Sequence, residues 1–309
     1  MTSCQSPLKV LQTAHALAAA RLPRYASKYS RHDFTLPQLF ACLVLRQFYN
    51  LSYRRTQALL ADSPSWQEAI GLERTPDHNT LCDAFGLLMT EPVVAELLDE
   101  LARAFGEAKL LDLENKPLAV DSTAFESHHV SRHYEKRKDK KTADSTEEAA
   151  QSSRGTTVKS LPKLAVAVAC GCHLILAAWA TTGLGADHPH FEQVVFDAWR
   201  RADVRTVVAD AGYDSERAHE LVRGDMNMNC LIPPRIGRPT KKTPPTRYRA
   251  EMKGLFAAEP APAPYGQRWQ VETVNSMMKR NYGSALRAAS PERREREMML
   301  KVLTHNIAL

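Results

Sequence analysis

An α/β fold, a mixed sheet flanked by helices behind an all-helical N-terminal region, is predicted by three observations. Helical periodicity dominates the first hundred or so residues. Short apolar runs of strand length begin near Leu118, and amphipathic helices lie between the later runs.

The helical elements come first. Leu8 to Ala20 carries Gln12 and His15, so it reads as an amphipathic helix and not as a signal peptide. Thr35-Leu-Pro-Gln38 has the cap and third-position Gln of a capping box, and Leu39, Phe40, Leu43, Val44 and Phe48 then recur at helical spacing. Ser52 caps Tyr53 to Leu60, Thr75-Pro-Asp-His-Asn79 leads into Thr80 to Met89, and another helix runs through Val93 to Phe105. The two short helices fit a helix-turn-helix unit or a plain bundle equally well.

Strands begin with Leu118-Ala-Val-Asp121, an apolar run that ends in an acid. Tyr134 to Ser153 is charged and almost without apolar residues, which predicts a mobile loop over about 134–160. Leu164 to Ala169 and Leu174 to Ala180 form a hairpin turned at Cys170 to His173. Asp187 opens a helix through Phe191, Val194, Val195 and Ala198. Thr206 to Ala209 is a buried strand ending in Asp210, Gly212 loosens the turn, Asp214 caps a helix from Glu216 to Arg223, and Cys230 to Ile232 is the last strand. A Pro-rich basic connector from Pro233 to Pro264 leads to a helix from Tyr265 to Lys279, and Pro291 to Leu309 closes the chain.

With 309 residues, 44% of them hydrophobic and 25% charged, the chain can bury a large core. Residues 1–110 are expected to form a helical domain and 111–309 the α/β domain. A net charge of +6 agrees with a nucleic-acid partner without requiring one. Six cysteines without framework spacing point to a reducing compartment. Cys170-Gly-Cys172-His173 lacks a second ligand pair, so zinc is set aside, and the interrupted Leu164–Leu184 region reads as two strands and not as a membrane span.

At roughly 100° per residue, Tyr265, Arg268, Glu272 and Lys279 fall within an arc of about 60°, opposite Val274 and Met277. Such charges commonly form exposed ion pairs worth a few tenths of a kcal/mol. Two further acids favour a site instead. If the first and fourth strands are neighbours, Asp121 and Asp210 stand at adjacent ends, within reach of Glu272. Three converging carboxylates repel one another unless divalent cations sit among them, and Mg²⁺ suits such an incomplete oxygen cage. Two ions about 4 Å apart would activate the attacking oxygen and stabilise the leaving one.

Ala209-Asp210-Ala-Gly212-Tyr213-Asp214-Ser215 and the Tyr265, Arg268, Glu272, Lys279 series, with two, three and six residues intervening, resemble the DDE transposases of bacterial insertion sequences that carry a Tyr-Arg-Glu-Lys motif. Val120-Asp121-Ser-Thr resembles their first acidic motif, and Thr75-Pro-Asp-His-Asn-Thr80 their N-terminal region. The resemblance implies a ribonuclease H-like catalytic domain in which Asp121, Asp210 and Glu272 bind two Mg²⁺ ions, with Mn²⁺ able to substitute. It implies cleavage of double-stranded DNA at the element's terminal inverted repeats and attack of the freed 3′-hydroxyl on target DNA. It further implies a homodimer on DNA, no membrane, and a cytoplasmic, nucleoid-associated protein. Arg268 and Lys279 would hold phosphate, and Tyr265 would contact phosphate or stack on a base. Trp269 lies off that face and is expected to be partly buried by packing.

Unlike some relatives of that type, the chain has no strand-rich insertion between Asp210 and Glu272. Two other readings compete. One is a DNA-binding derivative without catalysis, and the other is an unrelated metal-dependent phosphoesterase for small substrates. Arg235, Arg238, Lys241, Lys242, Arg247 and Arg249 favour an open groove for a long polyanion over a closed pocket, unless that run is a solvated linker.

Overall fold

One helix buried on nearly every side organises the N-terminal region. A computed structural model describes residues 6–127, 162–182, 189–235, 246–258 and 260–309. The expected 134–160 loop, the helix start at Asp187 and the connector residues Arg238, Lys241 and Lys242 lie outside the described residues. Helix α1 (Pro7–Arg21) packs along α2 (Leu36–Phe48), whose residues from Leu36 to Gln47 are buried apart from Gln38. An all-round apolar helix of this kind belongs in a core. The Thr35–Gln38 capping box forms as expected, and the Gln38 amide also donates to the Gly71 carbonyl at 2.6 Å. Around α2 stand α3 (Tyr53–Ala61), α4 (Pro64–Ala69), α5 (His78–Leu88) and α6 (Glu91–Glu107). The short helix α4 separates α3 from α5, so the two are not the consecutive pair of a helix-turn-helix unit.

The sheet has the order β4-β3-β1-β5-β6, from β1 (Leu118–Ala124), β3 (Lys163–Ala169), β4 (Ile175–Thr181), β5 (Thr206–Ala209) and β6 (Asn229–Leu231). Strands β4, β3 and β1 run antiparallel, and β1, β5 and β6 run parallel. A two-residue strand β2 (Glu126–Ser127) extends β1 and pairs with β7 (Ala285–Leu286), a small second sheet absent from the sequence reading. This is the ribonuclease H-like arrangement.

Helix α7 (Pro189–Arg201) and the single turn α8 (Glu216–His219) cover one face. The expected helix to Arg223 instead loosens into a π-helical turn over Glu220–Asp225. Within the expected Pro-rich connector lies a further helix, α9 (Arg247–Ala257). Helix α10 (Trp269–Tyr282) and the closing helix α11 (Pro291–Ile307) cover the other face, and one continuous apolar core joins them to α1 through α6. No helix among the described residues is long and apolar enough to cross a membrane. Cys170 and Cys172 are buried free thiols in the β3–β4 turn, and burial pushes Cys170 up to about 12.

Candidate active site

Strand register brings the two aspartates together. Parallel pairing of β1 with β5 sets Val120 beside Ala209, so Asp121 and Asp210 are the next residues along neighbouring strands. Alternation settles their face. Leu118, Val120, Val207 and Ala209 pack in the core shared with α7, whereas Ala119 and Val208 belong to the core shared with α10. Asp121 and Asp210 continue the Ala119 and Val208 rows, toward α10.

Asp121 is held from that helix. The Asn275 amide donates to its Oδ2 at 3.0 Å, while Asn275 Oδ1 is buried without a hydrogen-bond partner. Burial pushes the Asp121 carboxyl up to about 6; the charges of Asp210 and Glu272 add to this, and the Ser122 amide and Arg268 oppose it. Asp210 caps a short 3₁₀ turn (Ala211–Tyr213) by accepting the Gly212 N–H at 2.8 Å. A Cβ at Gly212 would lie 2.9 Å from that Oδ1 and would push the Asp210 carboxylate off this bond. Tyr213 is buried, and its hydroxyl shares a 2.7 Å hydrogen bond with Ser122, which ties the two aspartate-bearing segments together.

Asp214 does not cap the following helix, because Ser215 does so by accepting from the Ala218 N–H. The Asp214 side chain is instead 0% exposed and receives the fork of Arg249. The bond spans the connector and had no local signal in the sequence.

On the helix side, Pro262 and Pro264 shape a 3₁₀ segment (Ala263–Gln267), and α10 begins only at Trp269. Tyr265 therefore stands outside the regular helix, with its ring edge-on to Phe256 at 4.9 Å and its hydroxyl pushed up by burial. Arg268, at the helix cap, donates to Glu272 in the first turn, and the Glu272 side chain is 54% exposed. The buried stripe runs through Val271, Val274, Asn275 and Met278, so Met278 takes the core place expected of Met277. Lys279 lies over the Phe125 ring at 5.6 Å. Trp269 is 55% exposed, contrary to the expected packing, because it precedes the buried stripe. Asn275 went unassigned in the sequence, although a polar residue at core spacing was an available signal.

All three acids are electrostatically coupled at Asp121, yet among the described residues no three His, Cys, Asp or Glu side chains approach closely enough to hold one metal ion. The donor set nonetheless fits a hard divalent cation. It offers oxygen donors only, the charges of Asp210 and Glu272 raise Asp121 despite the Arg268 guanidinium, and Asn275 Oδ1 beside Asp121 is unsatisfied.

Comparison with known families gives two matches. Residues 113–307 match the family described as Transposase DDE domain, and residues 7–86 match Transposase domain (DUF772). No curated protein and no solved structure matches the chain. Since the first match spans well over half of the sequence and covers the strands that carry both aspartates and the helix that carries Glu272, the chain belongs to the DDE transposases typical of bacterial insertion sequences.

Proposed function

We propose that this transposase cuts the phosphodiester bond at the ends of its own element and joins the freed 3′-hydroxyl to target DNA, with a divalent metal. The observation that carries the reading is the strand register that sets Asp121 and Asp210 side by side, facing the helix that carries Glu272, where burial and the other two acids raise the Asp121 carboxyl to about 6. Acids gathered at such a cost are expected where a cation completes them. Asp121, Asp210 and Glu272 would hold two Mg²⁺ ions, with Mn²⁺ able to substitute. Bound there, the metal supplies charge stabilisation for the attacking and leaving oxygens.

The remaining roles follow from position. Water attacks phosphorus, the P–O3′ bond breaks to free the 3′-hydroxyl, and that hydroxyl then attacks a target phosphorus, displacing the target strand's own 3′-oxygen, which leaves as a hydroxyl. Arg268 and Lys279 hold DNA phosphate, and Tyr265 contacts the strand beside them. Glu272 must exchange its Arg268 partner for metal, which leaves the guanidinium for phosphate. Residues 1–110 recognise the terminal inverted repeats, residues 111–309 carry the chemistry, and two copies assemble on DNA in the cytoplasm, associated with the nucleoid.

The same Arg268–Glu272 pair favours a second reading, a DNA-binding derivative in which that face is inert. Incubating a labelled duplex carrying the element's ends with Mg²⁺ separates the two. The wild type is expected to nick it and Asp210→Asn to leave it intact. Equal nicking by both would remove Asp210 from the mechanism, and none by either would favour the derivative.

A further inference from the structure

We propose that Asp214 and Arg249 are positioning residues, through which α9 locks the turn behind Asp210 to the segment carrying Tyr265 and Glu272. This rests on the metal-binding reading of Asp121, Asp210 and Glu272.

The tie at Asp214 is built, not incidental. Arg249 Nε donates to Oδ1 at 3.0 Å and to Oδ2 at 3.1 Å, Nη2 donates to Oδ2 at 2.8 Å, and the Arg235 N–H donates to Oδ2 at 2.9 Å. A guanidinium fork on a carboxylate fixes orientation as well as proximity, and removing one partner leaves the other charge buried and uncompensated. Exposed ion pairs do neither. Asp214 also belongs to the Asp210 turn, for its N–H donates to the Ala211 carbonyl and the Tyr213 N–H to the Asp210 carbonyl. Whatever holds Asp214 therefore holds the backbone that aims Asp210.

Two further bonds fasten α9 at its start. Glu216 accepts the N–H groups of Tyr248 at 3.0 Å and Arg249 at 3.1 Å, which have no partner inside the helix. The Thr246 side chain makes no cap bond there, so the cap comes from α8. Arg223 donates to Glu251 at 2.7 Å and lies over the Tyr248 ring at 4.5 Å. At the other end of α9, Phe256 meets Tyr265, three residues before the Arg268 that grips Glu272. One helix thus connects the turn behind the sheet-borne acid to the segment that leads into the helix-borne one.

The test uses the full chain on a duplex carrying the element's ends, comparing wild type, Arg249→Met, Arg249→Lys and Asp210→Asn. Mn²⁺ binding to the protein–DNA complex is read by electron paramagnetic resonance, DNA affinity is read without metal, and cleavage is read with Mn²⁺. Arg249→Met is expected to weaken Mn²⁺ binding about tenfold, as loss of a supporting partner does at metal sites. Its metal-free DNA affinity is the reference against which the Mn²⁺ loss is read, and Arg249→Lys should recover part of the Mn²⁺ affinity. Unchanged Mn²⁺ binding in Arg249→Met overturns the proposal, while an inactive Asp210→Asn in the same series leaves the site reading standing. Equal cleavage by Asp210→Asn and wild type would instead overturn the site reading. If Arg249→Met does not fold, Phe256→Leu tests the other end, with a loss of Mn²⁺ affinity of about threefold expected and no loss counting against the strut.

Discussion

The two halves of the site are built differently. The sheet half is fixed: Asp121 and Asp210 stand on adjacent parallel strands, each carboxylate accepts a hydrogen bond, and the Ser122–Tyr213 bond ties their segments. By contrast, the helix half presents its acid from an exposed first turn. Glu272 and Trp269 are more than half exposed in the first turn of α10, whereas the C-terminus of that helix is held by buried groups. A site divided in this way keeps two acids on the sheet and leaves the side chain of the third largely in solvent.

The largest expected effect breaks the sheet half. Asp121→Asn should lower metal-dependent nicking about 10³-fold or more, a loss of about 4 kcal/mol. Without metal it should instead stabilise the protein. Because the Asp121 carboxyl is raised to about 6, the folded state prefers the neutral acid. Its destabilising contribution is fully present above pH 6 and fades as pH falls toward the ordinary carboxylate value near 4. Calorimetry in chelator should thus give the Asn variant a higher Tm at pH 7.5 and no advantage near pH 4. A lower Tm at pH 7.5 would make Asp121 a structural acid.

A smaller effect probes the anchored end of the helix half. Lys301, fully buried, donates to the Tyr282 and Gly283 carbonyls, and burial lowers its ammonium from 10.5 to about 8. Since the folded pKa lies below the unfolded one, the penalty for charge is complete below pH 8 and is relieved as pH rises toward 10.5. Relative to Lys301→Met, the wild type should gain about 2–3 kcal/mol between pH 7.5 and 10. A pH-independent difference in chemical denaturation would show that Lys301 is not buried as a charge.

The smallest effect concerns Arg268→Gln. Its ion pair is largely exposed at Glu272, so chemical denaturation should move by less than about 0.5 kcal/mol. Nicking should fall about tenfold through lost phosphate contact. A stability loss above 2 kcal/mol with unchanged nicking would make Arg268 part of the scaffold and erase the contrast between the halves.

Much of the sheet half was legible because its rules are local. Continuous apolar runs of strand length end in Asp121 and Asp210 and mark strands buried on both faces, and the Thr35–Gln38 box declared its helix directly. The helix half was legible in spacing, and Pro264 just ahead of Tyr265 carried the signal for its delayed start, which falls at Trp269. Helix α9 was hidden by the Pro-rich, basic composition around it, although Tyr248, Met252 and Phe256 recur every four residues and carried a usable signal. Asp214 had no such signal. An acid just ahead of a helix is a fitting cap by local rules, and its partner Arg249 lies 35 residues away.

Gly283, which follows α10, adopts φ +90°, and a Cβ there would fall 2.7 Å from the Asn50 amide. Beside it, Gln47 of α2 donates to the Tyr282 carbonyl at 3.0 Å. This seam has a consequence for exchanging parts among related elements. A cassette cut between α6 and β1 would carry Gln47 and Asn50 away from the helix end they were fitted to. Chimaeras that exchange the N-terminal helices should therefore bring Tyr282, Gly283 and α11 from the same parent as α2, although Gln47 and Tyr282 are 235 residues apart.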